Sequence, residues 1–217
     1  WGVSTRLIGG IIMTHGDNEG LVLPPAIAPI QVVIVPVAAH KPGVLEKAAE
    51  IAETLKKAGL RVKLDDSDQS PGWKYAQYEM KGVPLRLEIG PRDIENGNCV
   101  LVRRDNREKT VVALDNLVES TQQMLKDFAK AIYEKAKANL EGNITPAHNI
   151  QEMKDILQKR VGFVKAMWCG DEHCEEIIKN ETGMPSRCIP FEQEHIDDVC
   201  PVCGKPAKYM VIFGIAY

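Results

Sequence analysis

IQVVIVPV, from Ile30 to Val37, is the stretch around which the rest of the fold is built. Six of its eight residues are Val or Ile without alternation, which predicts a strand buried on both faces. Val44, Leu45, Ala48, Ile51, Ala52, Leu55 and Ala58 then recur at the spacing of one helix face, and Gly59 stops that helix. Arg61 to Leu64 completes a β-α-β unit. A short helix around Trp73 to Met80 follows, then strand VPLRLEI from Val83 and strand CVLVRR from Cys99, with Gly90-Pro91 and Asn96-Gly97 as turns. Beyond a strand from Thr110 to Leu114, Asn116 can cap a long helix with Glu119 in the reciprocal position. Its apolar stripe is Leu117, Thr121, Met124, Phe128, Ile132 and Ala136, and it ends near Glu141-Gly142-Asn143. Ile30 to Asn143 therefore predicts a mixed α/β layer of about five strands and three helices.

Working outward, Pro24-Pro25 marks a boundary on the amino-terminal side. Before it, an apolar run from Leu7 to Met13 and Leu21 to Leu23 flank the polar turn from Thr14 to Gly20, fitting two strands or a helix and a strand. On the other side Pro146 marks a second boundary. Asn149 then caps a helix with Ile150, Met153, Ile156 and Leu157 on its apolar face. The expected division is residues 1–25, 26–145 and 146–217. Trp1 is not an initiator Met, and the opening looks like the middle of a longer chain.

The chain has 217 residues and a formal net charge of -3. That balance argues neither for a strongly basic nucleic-acid protein nor for an acidic tail, so any RNA contact needs a local basic patch, for which the run from Arg103 to Lys109 is the candidate. No apolar run approaches the roughly 20 residues that span a bilayer, and no signal peptide opens the chain. A soluble, cytoplasmic protein with no membrane partner is expected.

Six cysteines in such a sequence are thiols or metal ligands before they are disulfides. Cys169 and Cys174 form one close pair, Cys200 and Cys203 another. Four soft, deprotonated sulfurs suit tetrahedral zinc, and full coordination by protein makes the ion structural. A redox pair at Cys200 and Cys203 is the competing reading, but it leaves the other two thiols unexplained. His173 is expected to be solvated, and Cys99 and Cys188 to be core or surface thiols.

The segment GVSTRLIGGIIMTHGDNEGLVLPP resembles the third motif of class II aminoacyl-tRNA synthetases in its prolyl form. SPGWKYAQYEMKGVPLRLEIGPRD, Ser70 to Asp93, resembles the anticodon-binding domain shared by the prolyl, threonyl, histidyl and glycyl enzymes, and fits the prolyl form best. The cysteine pairs and the final Phe213-Gly214-Ile215-Ala216-Tyr217 match the zinc-bearing extension of archaeal- and eukaryotic-like prolyl-tRNA synthetases. The resemblance covers nearly the whole chain. It implies a remnant of the class II catalytic domain, a mixed five-stranded anticodon-binding domain with three helices, and a small α+β zinc-binding carboxy-terminal domain.

It further implies that a strand carries Arg6 onto ATP, with Ser4 as a second ATP contact and Thr5 a weaker one. A guanidinium can stack on adenine while donating to phosphate, which lysine cannot do. Gly9 and Gly10 are expected to permit close approach of a helix or backbone to the ligand. Glu79 and Arg86 match the pair that reads the adjacent guanines of the proline anticodon, and Lys109 matches a further base-contacting lysine. A carboxylate accepts from guanine N1–H and N2–H2, and a cation donates to O6 and N7. Trp73 and Tyr75 can stack on bases or be buried against the sheet. The terminal Tyr217 is expected to reach toward the active site.

The complete enzyme is expected to activate L-proline with ATP and Mg, to esterify tRNA(Pro), and to act as a homodimer. Without the first two class II motifs this polypeptide alone is expected to be inactive. The alternatives are a non-catalytic tRNA-binding regulatory protein with an anticodon-binding-like domain, and a redox protein.

Overall fold

Thr5 leads into α1 (Arg6–His15), so the apolar run at 7–13 is one helix. Arg6 opens that helix, where the resemblance implies a strand. Leu7, Ile8, Ile12 and Met13 are all exposed, and a Cβ added at Gly9 or Gly10 meets nothing within 4 Å. Among the described residues nothing therefore requires glycine at those two positions. The computed structural model describes residues 2–159 and 162–215 and divides into two compact units, Trp1–Ala136 and Lys137–Tyr217.

In the first unit β1 (Val32–Pro36) is buried at all five residues, as its unbroken apolar run predicts. It continues into α2 (Val44–Lys57) and the parallel strand β2 (Val62–Leu64). Next come α3 (Pro71–Met80), β3 (Leu85–Ile89), α4 (Pro91–Glu95), β4 (Asn98–Arg103), β5 (Lys109–Ala113), a single 3-10 turn Leu114–Asn116 and α5 (Leu117–Gly142). The sheet order is β2-β1-β3-β4-β5, with β3 parallel to β1 and the β3-β4 and β4-β5 pairs antiparallel.

Side chains alternate across this sheet. Val32, Ile34, Leu85, Leu87, Ile89 and Leu101 pack on α2 and α5 through Ile51, Leu55, Leu117 and Leu125. Val33 and Val35 face the other way, toward Tyr75 and Tyr78 of α3. Ser70 caps α3 by accepting from Trp73 N–H at 3.4 Å, with Pro71 as its first residue.

The fourth helix of this segment, α4, replaces the turn expected at Gly90-Pro91, one helix more than the three expected. Pro91 has a helical φ, and Asp93 Oδ2 accepts from Gly90 N–H at 2.8 Å, so two short-range devices start a helix too brief to show a periodicity. On α5 the buried stripe is Leu117, Thr121, Leu125, Phe128 and Ile132, so Leu125 takes the place expected for Met124.

Residues 16–23 are clasped to the far end of α3. Leu21 N–H donates to Met80 O at 3.0 Å and Leu23 N–H to Gly82 O at 3.2 Å. The two backbones approach so closely that a Cβ on Gly20 (φ +132°) lies 2.6 Å from Met80 Cα and one on Gly82 (φ +71°) 2.6 Å from Leu21 Cβ. Asp17 then grips Arg104 with both oxygens, at 2.6 and 2.7 Å, and Arg104 Nε donates to Glu79 O at 2.8 Å. Asp17, unassigned on the sequence, thus holds a guanidinium that is only 5% exposed.

The second unit holds β6 (Ile144–Pro146), α6 (Ile150–Lys159), β7 (Phe163–Trp168), α7 (Glu172–Thr182), β8 (Ser186–Cys188) and β9 (Tyr209–Gly214). Pro146, read as a boundary, lies in β6 at the sheet edge, where a missing N–H is tolerated. The sheet order is β6-β7-β9-β8, with β6 parallel to β7 and the other pairs antiparallel. Met153 of α6 and Ile178 of α7 pack on Val164, Ala166, Val211 and Phe213. Asn149 caps α6 as expected: it accepts from Glu152 N–H at 2.9 Å and donates to the Glu152 carboxylate at 2.8 Å. Among the described residues no helix is long and apolar enough to cross a membrane.

The Arg104 hydrogen bonds hold the Asp17 carboxyl down to about 2, from an ordinary 3.8. A depressed carboxyl stabilises the fold above its unfolded value and loses that contribution as pH falls through the folded one. Because Asp17 is about one-third exposed at its side chain, the contribution is discounted to about 1–2 kcal/mol. Asp17→Asn is expected to cost about 1–3 kcal/mol at pH 7, since it leaves a buried guanidinium short of its counter-charge. In urea titrations the parent's advantage over this variant should be constant from pH 7 to 5 and shrink between about pH 4 and 2. An advantage that does not change over that range would remove the ion pair from the account.

Candidate functional site

Glu79 sits in the last turn of α3, Arg86 on β3 and Lys109 on β5. Register brings them together: Arg86 faces Val102 on β4, and Val102 faces Lys109, so the two cations share one row across the sheet. Arg86 Nη1 donates to Glu79 Oε1 at 2.7 Å. The residue between the cations is Glu88, two positions along β3 and hence on the same face. It accepts from Arg86 Nε at 3.0 Å, and its other oxygen lies 3.5 Å from Lys109 Nζ. Sequence reasoning missed Glu88, although its period-two relation to Arg86 was available.

The Arg86 guanidinium also lies 3.9 Å from the centre of the Tyr75 ring. Tyr75 is therefore taken up by Arg86, and burial pushes its hydroxyl upward. Trp73 stays about half exposed. The side chains form a gradient from inside to outside: Arg86 is 10% exposed, Glu88 12%, Glu79 30% and Lys109 61%. The space beside Arg86 and Glu79 is only about 10 Å³, room for one water at most. What the site offers is thus a surface edge of acceptors and donors, suited to the edge of a planar heterocycle.

The basic run from Arg103 to Lys109 is neutralised within the unit. Arg103 pairs with Asp105 at 2.7 Å, Arg104 with Asp17, Arg107 with Glu19 at 2.6 Å and Lys109 with Glu88. The local basic density expected there is balanced by carboxylates, two of them supplied by the turn at 17–19. The Arg107–Glu19 pair, with both partners about half exposed, is the least costly to open.

In the second unit the four cysteines converge. Cys169 follows β7, Cys174 lies in α7, and Cys200 and Cys203 occupy a turn closed by Cys200 N–H to Lys205 O at 2.9 Å and Gly204 N–H to Cys200 O at 3.0 Å. Their sulfurs all lie within 4.8 Å of one another, and Cys203 Sγ is 3.7 Å from Cys169 Sγ. A tetrahedron with arms of about 2.3 Å has edges of about 3.8 Å, so the donor set fits zinc in type, number and spacing. Burial raises the Cys169 and Cys174 thiols, while a backbone N–H from Lys205 lowers Cys203 to about 7. His173 is exposed and outside the cluster. Cys99 is a core thiol, pushed up to about 12 by burial, and Cys188 an exposed one.

Ser4 and Arg6 lie at the exposed start of α1, where Arg6 N–H donates to Ser4 Oγ at 3.4 Å. Among the described residues no carboxylate pairs with Arg6. The Tyr217 expectation falls outside the described residues.

Two family models match the chain: an anticodon binding domain over residues 31–124, and the carboxy-terminal domain of prolyl-tRNA synthetase over residues 150–217. Along all 217 residues the chain is 58% identical to a proline-tRNA ligase of Clostridium botulinum strain Okra, 57% to one of Ruminiclostridium cellulolyticum and 54% to one of Lachnospira eligens. It covers 45% of the length of each. With its five-stranded mixed sheet, its cysteine cluster and this similarity from end to end, the chain is a homologue of proline-tRNA ligases over its whole length, and it spans a little under half the length of the curated relatives it matches.

Proposed function

We propose that this chain supplies anticodon recognition, a structural zinc domain and one ATP contact to a proline-tRNA ligase. The enzyme activates L-proline with ATP and Mg to prolyl-adenylate and transfers it to the 3′ end of tRNA(Pro). The observation that carries the reading is the Glu79–Arg86 pair, 2.7 Å apart at the rim of a mixed sheet. In this reading residues 1–25 are the end of the class II catalytic domain, 26–145 the anticodon-binding domain and 146–217 the zinc domain. The complete enzyme is a cytoplasmic homodimer of the archaeal- and eukaryotic-like type. The names of the relatives favour a ligase over a non-catalytic RNA-binding regulator.

Each residue has a role set by its chemistry. Glu79 accepts from guanine N1–H and N2–H2, Arg86 donates to O6 and N7, and Lys109, the most exposed of the three, serves the neighbouring base or its phosphate. Arg6, which pairs with no carboxylate among the described residues, stacks on adenine and donates to phosphate, with Ser4 beside it. Cys169, Cys174, Cys200 and Cys203 hold zinc, which cross-links the end of β7, α7 and the 200–203 turn. Catalysis by the complete enzyme is mainly positioning and charge stabilisation.

Filter binding tests the anticodon reading: tRNA(Pro) should bind at least about tenfold more tightly than a variant with both guanines replaced by adenine, the value of one lost bidentate base contact. Equal affinity for both removes the roles of Glu79 and Arg86. For the second unit, metal analysis should find one zinc per chain, retained on dialysis and released only as this unit unfolds under chelator. Reversible formation of a Cys200–Cys203 disulfide with no bound metal would instead support redox chemistry. In the full-length enzyme Arg6→Ala is expected to lower proline-dependent ATP/pyrophosphate exchange by about 100-fold or more, and unchanged exchange would free Arg6 of its role.

A further inference from the structure

Glu88 has no part in the roles above, yet it touches both cations of the proposed reading surface. Its side chain is 12% exposed, and one carboxylate oxygen lies 3.0 Å from both Nε and Nη2 of Arg86. Tyr75 covers the face of the same guanidinium at 3.9 Å, and Glu79 takes Nη1. A long arginine side chain is costly to hold in one rotamer, and contacts on two edges and one face leave it little freedom.

We propose that Glu88 is a positioning residue for base recognition. Together with Tyr75 it locks the Arg86 plane so that the unshared N–H groups point outward, and it tethers Lys109 loosely beside them. The inference rests on the reading of Glu79 and Arg86 as guanine-contacting groups. Burial decides why Glu88 rather than Glu79 does the holding: the less exposed carboxylate acts through a weaker dielectric screen, while Glu79 keeps the exposure that contact with a base requires. The contact to Lys109, at 3.5 Å with the ammonium 61% exposed, is too weak to fix it, so Lys109 keeps its reach.

The test is a cycle between protein and RNA with the 217-residue chain. Affinities are measured for tRNA(Pro) and for the same RNA with both guanines replaced by adenine, using the parent, Arg86→Ala, Glu88→Gln, the double variant and Tyr75→Leu. The readout is the ratio of the two affinities, because loss of folded protein lowers both alike. Glu88→Gln is expected to reduce the ratio about tenfold, equivalent to about 1.4 kcal/mol, and Tyr75→Leu about threefold. The double variant should discriminate no worse than Arg86→Ala alone, because a positioning residue acts only through the group that it positions. A parent that binds both RNAs equally refutes the reading of Glu79 and Arg86. A parent that discriminates, an Arg86→Ala variant that does not, and a ratio unchanged in Glu88→Gln and Tyr75→Leu overturn the Glu88 inference alone. A further loss of discrimination on adding Glu88→Gln to Arg86→Ala also overturns it, since Glu88 would then contact a base itself. Tyr75→Leu removes the stack without touching a charge, and so decides the matter if the Glu88 variant does not fold.

Discussion

The candidate reading surface depends on Arg104, which never reaches it. This guanidinium is almost fully buried, receives both oxygens of Asp17, and donates from Nε to the backbone carbonyl of Glu79. The backbone N–H of Arg104 donates to Pro84 O at 3.0 Å, beside the start of β3. One residue therefore joins the turn at 17–20 and the end of α3 through its side chain, and the entry to β3 through its backbone. Glu79 is held from two sides, its carbonyl by Arg104 and its carboxylate by Arg86. A buried charge is a poor source of net stability, but it is strict about geometry, because each unsatisfied N–H costs desolvation energy. That strictness suits a surface proposed to present its acceptors and donors to a base edge within a fraction of an ångström.

The same economy of charge explains why a chain with net charge -3 can carry a proposed RNA-binding face. The arginines of the 103–107 run are engaged by Asp105, Asp17 and Glu19 before any partner arrives. Pairs that engage a buried guanidinium, such as Arg104–Asp17, serve the fold. Half-exposed ones such as Arg107–Glu19 cost little to exchange for a phosphate. Affinity in such a design comes from a few groups held in place rather than from bulk positive charge, which favours discrimination among RNAs over non-specific binding.

The second unit solves a different problem. Its core rests on a four-stranded sheet with one face covered by α6 and α7, and the 189–206 connection carries no strand or helix of its own. A small unit of this kind gains from a staple. The cysteine cluster lies where that connection returns to the end of β7, so a bound ion would close the long loop onto the sheet, where cross-linking removes most entropy from the unfolded chain.

Strong local signals were legible without coordinates. The β-branched run at 30–37 read as β1, the spacing from Val44 to Ala58 read as α2, and the pairs Cys169/Cys174 and Cys200/Cys203 were joined across 25 intervening residues because one ion needs four sulfurs. The sequence stopped short where the signal is brief or non-local. The α4 helix is too short for a period, and the exposed apolar residues of α1 fitted either a strand or a helix. Two strands of the second unit, β6 and β8, are only three residues long and carry no periodicity of their own. By itself the sequence determined the four cysteines as one donor set, because an ion constrains the type and number of its ligands, whereas Glu79, Arg86 and Lys109 became candidates only through the family resemblance. Only the tertiary structure decided that Glu88 stands between the two cations, that Tyr75 stacks on Arg86, and that Asp17 reaches Arg104 across 87 residues. Such contacts follow from strand register and chain crossing, which no local pattern encodes.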